Sequence, residues 1–189
     1  MNIEIIKRLE NLKSEQAQLS EVFIDQMIEK KRFLLENIKD GFEVYFTNKG
    51  FVINHYSNNV SANYGNLKID MTIPTPKEVF IGAFSVIKMI ITGNQKKTFK
   101  IILNEKGSRP SISITENTLP NNEDARFEFE IKNIEEQIIK LKKRTAEINN
   151  INIKLRIYDD EEAKKNPILK TLDSQEFDDI KELLDSIFN

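Results

Sequence analysis

MNIEIIKRLENLKSEQAQLSEVFIDQMIEKKRFLLENIKD, residues 1–40, contains neither proline nor glycine and repeats its apolar positions at helical spacing until Gly41. It reads as one amphipathic helix over residues 1–41, closed by Gly41 and far longer than the roughly 11 to 12 residues of an average globular helix. At about 1.5 Å per residue it reaches on the order of 55 Å, more than a compact domain of this size can cover. Such a helix calls for a partner, either a second copy of the chain or another protein. The apolar residues step by fours and threes through Ile5, Leu9, Leu12, Leu19 and Phe23, with Gln16 in one core position. That is a heptad stripe, the pattern of a coiled coil. After Phe23 the stripe restarts one residue late at Ile24, Ile28, Leu35 and Ile38. The shift divides an outer half, residues 1–23, which projects or oligomerises, from an inner half that packs on a domain. Ile5, Leu9, Leu12, Gln16, Leu19 and Phe23 are therefore the expected partner-binding residues, with Gln16 favouring one register and a homodimer as the simplest assembly.

Beyond the helix the apolar period changes to two. Phe42, Val44 and Phe46 alternate with polar neighbours, Asn48-Lys49-Gly50 supplies a turn, and Phe51 and Ile53 follow, which predicts a hairpin. A further strand or strand pair spans residues 60–73, bent near Gly65. Pro76 opens a predicted helix to Thr92 whose Val79, Phe80, Ala83, Phe84, Ile87, Ile90 and Ile91 cover most of its circumference, as a central core helix requires. Strands are predicted over residues 98–104, 110–115 and 126–131, the last from the alternation of Phe127, Phe129 and Ile131 with Glu128, Glu130 and Lys132. A second amphipathic helix covers residues 133–149, with Ile134, Ile138, Leu141 and Ile148 at heptad spacing. A strand follows at residues 151–157, and then an acidic linker. A last helix over residues 174–188 is capped by Asp173 or Ser174. Strands with one polar face, and helices to cover the other, indicate a two-layer α+β domain with a mainly antiparallel sheet over residues 42–158. Residues 159–189 form an acidic linker and C-terminal helix.

Composition removes several kinds of function. Among 189 residues there is no cysteine, which excludes disulfides, a thiolate nucleophile and Cys-ligated metal, and fits a cytoplasmic protein. The longest apolar stretch, residues 79–91, is broken by Gly82, Ser85 and Lys88, so no membrane partner is expected. Single, scattered glycines exclude phosphate-cradling loops, and no cofactor is expected. The net charge of −2 conceals a tail from Asp159 with ten acids and four bases, about −6, against about +4 for residues 1–158. Lysine (22) and asparagine (20) are inflated alongside isoleucine (28), so the basic sets Lys96, Lys97, Lys100, Lys106, Arg109 and Lys140, Lys142, Lys143, Arg144 support at most weak nucleic-acid binding. The acid run Asp159-Asp160-Glu161-Glu162 reads as a solvated linker rather than a metal site. The only histidine, His55, shares a predicted strand face with Phe51 and Ile53 and reads as structural.

One triplet carries a specific chemistry. Glu130-Ile131-Lys132 ends a predicted strand, and the order helix, three strands, helix, strand over residues 76–158 resembles the core of the PD-(D/E)xK nucleases. That resemblance implies a divalent-metal-dependent nuclease in which Glu130 binds the cation and Lys132 steadies the attacking water. The chain departs from the family where its upstream Asp should stand, since the second strand opens Arg109-Pro110-Ser111. The element order as a whole is similar in outline to dimeric secretion-system chaperones, which implies a protein partner. The expectation that follows is a non-enzymatic interaction module of adaptor, chaperone or inhibitor type acting through the first helix, with the nuclease as alternative.

Overall fold

The computed structural model describes residues 3–106, 122–159 and 175–188, and its first helix, α1 (Ile3–Asn48), does not stop at Gly41. Leu35, Ile38, Phe42, Tyr45 and Phe46 continue the helical period and are all buried, so the alternation of Phe42, Val44 and Phe46 that predicted a strand is incidental. The helix ends instead at Gly50, whose φ of 82° is left-handed. There Phe51 N–H reaches Phe46 C=O at 3.0 Å and Gly50 N–H reaches Thr47 C=O at 3.0 Å. This is a Schellman termination. Its accompanying apolar contact is Phe51 on Phe46, ring centroids 5.0 Å apart.

Two further predicted elements change type. Residues 76–92 are not a helix: an irregular segment, left-handed at Gly82 (φ 76°), leads into β4 (Ser85–Thr92). A segment apolar all round suits a buried strand as well as a core helix, and the β-branched Val86, Ile87, Ile90 and Ile91 favour the strand. Residues 126–131 are not a strand but the first turns of α2 (Glu123–Glu147). Asn122 caps α2, its side chain accepting from Asp124 N–H at 2.9 Å. The Phe127–Ile131 spacing of four continues into the heptad positions that follow, and this longer period prevails. The strand expected at 110–115 and Asp160, Glu161, Glu162, Asp173 and Ser174 lie outside the described residues, but the last helix does not begin at 174: residues 175–179 are not helical, because Phe177 pairs with Leu155, and the helix starts at Ile180.

The fold is α+β, and the chain divides into two units. The first, Met1–Lys30 with Pro110–Asn150, holds the α1 residues up to 30, α2 and a short 3-10 turn, Ile148–Asn150. The second, Lys31–Arg109 with Ile151–Asn189, is built on a six-stranded antiparallel sheet. Its strands β1 (Val52–Tyr56), β2 (Asn59–Tyr64), β3 (Leu67–Thr72), β4, β5 (Lys96–Glu105) and β6 (Ile153–Asp159) lie in chain order. Residues 60–73, expected as a strand or strand pair, are the pair β2 and β3, joined through Gly65 and Asn66.

Within the second unit one sheet face carries the core. Val60, Met71 and Met89 are register partners in turn, as are Ile87, Ile101 and Ile157. They are covered by Leu35, Ile38, Phe42 and Phe46 of α1 and by Ile180, Leu183 and Leu184 of the last helix, α3 (Ile180–Phe188). Asp179 caps α3 by accepting from Glu182 N–H at 2.9 Å. The chain before α3 is seated on the β6 edge by a two-bond bridge between Leu155 and Phe177 (3.0 and 2.9 Å). Lys154–Asp178 and Arg156–Glu176 ion pairs flank that bridge. The Arg156 guanidinium holds the Glu176 carboxyl below the usual carboxylate range.

Candidate functional site

The residues singled out as partner-binding all lie in the first unit, and α2 covers them. Leu9 is 2% exposed in a cluster with Ile131, Ile134 and Ile138, against which Ile5, Leu12, Leu19 and Phe127 pack. Two heptad stripes meet here: α1 positions 5, 9, 12, 16 and 19 correspond to α2 positions 127, 131, 134, 138 and 141, each 122 residues further on. The polar links across the seam keep a similar offset. Arg8–Glu135 (2.6 Å) and Glu15–Lys142 (2.8 Å) differ by 127, Lys13–Glu130 (3.0 Å) by 117, and Lys30 to Ile148 C=O (2.6 Å) by 118. A nearly constant offset means that the two helices run parallel. Gln16 donates to the Gln137 side chain, and the Arg144 guanidinium lies 5.3 Å from the Phe23 ring centroid. Lys30, donating to the last carbonyls beyond α2, places a cation where the helix dipole favours one. The premise that the chain runs out of surface for residues 5–23 is therefore corrected: α2 supplies that surface.

The same helix removes the geometry of the nuclease resemblance. On a strand Glu130 and Lys132 would share a face, whereas two residues on a helix are about 200° apart around the axis. Glu130 instead pairs with Lys13, and that contact raises the Lys13 pKa. No group of three or more His, Cys, Asp or Glu side chains that could hold a metal occurs among the described residues. His55 is half exposed with Nδ1 3.6 Å from Glu43, beyond hydrogen-bond length. Of the basic sets, Lys142 is engaged with Glu15 and Arg144 with Phe23, and Arg109 lies outside the described residues. No helix among the described residues is long and apolar enough to cross a membrane.

In the second unit there is a cleft of about 290 Å³ that sequence reasoning did not find. Arg32, Glu36 and Lys39 of α1 form one wall, the Ser57-Asn58 turn a second, and Ile73, Pro74 and Pro76 an apolar third. The turn is held by Ile73 N–H donating to Asn58 C=O at 2.8 Å, with Ser57 left-handed (φ 51°). Near it Lys31 is buried, donating to Glu78 C=O at 2.6 Å with the Phe80 and Phe84 rings 5.6 and 5.7 Å away. Burial lowers its pKa, and the Glu78 charge opposes this. Its ammonium is occupied in tying the irregular segment before β4 to α1. No protein-family model, curated protein or solved structure matches the chain.

Proposed function

We propose that this protein is a non-enzymatic protein–protein interaction module of the adaptor, chaperone or inhibitor kind, and that it works through the outer surface of the α1–α2 helix pair. The observation that carries the reading is a pair whose apolar seam is closed by its own two helices and flanked by ion pairs. Among the described residues the titratable groups along the seam are held in ion pairs such as Lys13–Glu130, so what the pair offers another molecule is its outer surface. That surface includes large apolar side chains left in solvent, Ile3, Val22 (47% exposed), Ile24 and Ile139 (67% exposed). Self-association through the stripe Ile5 to Phe23 forms no part of the proposal, because α2 already occupies it.

Quantitative affinity capture from the native cell, with wild type and Val22→Glu/Ile139→Glu compared side by side, tests the reading. Neither residue belongs to the buried seam, so circular dichroism should show unchanged helix content. A protein held by wild type and reduced tenfold or more with the double variant is the expected result. Equal capture by both forms, or none by either, contradicts it.

A further inference from the structure

The sheet of the second unit is covered at one edge, and at the other no further strand pairs with it among the described residues. At β6 the Phe177 bridge covers the edge and its two flanking ion pairs hold it. At the opposite edge β1 has β2 as its only strand neighbour among the described residues. The turn Ser57-Asn58 is a two-residue loop between the register partners Tyr56 and Asn59. Such loops close on a hydrogen-bonded pair, so Val52, Asn54 and Tyr56 direct their backbone groups to β2. Ile53 and His55 aim theirs outward. Natural edge strands are usually blunted by lysine, proline or a bulge. Val-Ile-Asn-His-Tyr has no lysine or proline, and its ladder with β2 is unbroken.

We propose that β1 pairs antiparallel with β1 of a second copy, about a two-fold axis through Asn54, making one continuous sheet from the two copies. The strand is complementary to itself in that register. Ile53 and His55 of one copy lie opposite His55 and Ile53 of the other, and these are the residues whose backbone groups point outward. Two residues per copy, each with one donor and one acceptor, give four hydrogen bonds across the axis. Val52 (64% exposed) meets Tyr56 (61% exposed) on one face, twice, giving two aromatic–aliphatic cross-strand pairs. The Asn54 amides face each other at the centre, where each can both donate and accept. Within the strand pair itself no like charges are opposed.

The contact is that of one short strand, and association on the order of micromolar is expected for so small a surface.

The test is sedimentation of the full chain over a concentration series from about 1 to 200 µM, with three variants. Asn54→Lys and Asn54→Asp each place like charges across the axis and should weaken dimerisation tenfold or more while circular dichroism stays unchanged. Mixed in equal amounts they should form a heterodimer at least as tight as wild type. His55→Pro, which removes an outward N–H that β2 does not use, should abolish the dimer and serves as an independent check on the edge. The proposal is overturned by a wild type that stays monomeric throughout, by charged variants that dimerise as wild type does, or by a mixture that remains monomeric. It uses a different surface from the helix pair, so its failure leaves the interaction reading untouched.

Discussion

Gly41 is the residue whose meaning changes most between chain and fold. In the sequence it closes a helix, but in the structure it lies inside α1, where an added Cβ would come 2.3 Å from Ile180 Cγ2. Glycine is there because α3 approaches the α1 backbone. In a free helix Gly→Ala stabilises by roughly 0.5–1 kcal/mol; here Gly41→Ala is expected to destabilise by about 1–3 kcal/mol through overpacking. Gly41→Ala/Ile180→Ala should not add the two single costs, because the second change removes the clash. Urea unfolding of the three variants reads both the sign and the coupling. Tyr45 offers a pH-dependent counterpart. Burial, together with the nearby Asp185 carboxylate, pushes its phenol up to about 12. A raised folded pKa means that the stabilisation is complete below the unfolded value near 10 and is lost as pH rises from 10 through about 12. Between pH 9 and pH 11 wild type should lose about 1 kcal/mol more than Tyr45→Phe, measured as the difference in urea unfolding free energy. Equal losses would show that Tyr45 carries none of the alkaline dependence.

At the scale of elements, much of the fold was legible and the misreadings share a cause. The sheet residues of β5 and β6 and the helical residues of α3 were read correctly, because their periods are uncontested there, but the expected helix began about a turn and a half too early, where Phe177 pairs with β6 instead. Residues 42–46, 76–92 and 126–131 each contain a short apolar pattern compatible with both periods. Tertiary packing decided each of them. Phe42, Tyr45 and Phe46 are held helical by the sheet beneath them. Ile87 and Met89 are held in a strand between β3 and β5. Phe127 and Ile131 are held helical by Ile5 and Leu9. The seam of the helix pair was visible in halves, since the heptads at Ile5–Phe23 and Ile134–Ile148 were each recognised. What joins them is the constant offset of 122, a long-range register that no local window contains. The cleft beside Ser57 and the sheet edge at β1 were invisible for the same reason: both depend on which strand lies next to which.

For the whole molecule, the decisive feature is that residues 5–23 bury their apolar face on α2 of the same chain, and the proposed interaction surface is the outer side of that helix pair. The sequence alone favours the other outcome, a stripe shared between two copies. Because the chain has no cysteine, a single engineered pair separates these outcomes. Leu12→Cys/Ile134→Cys places thiols at corresponding seam positions of α1 and α2. Mild oxidation at low protein concentration, followed by non-reducing electrophoresis and intact mass, should give a monomer two hydrogens lighter, with the 12–134 disulfide recovered after digestion. Disulfide-linked dimers joined through position 12 of each copy, with no intrachain product, would contradict closure of the seam within one chain.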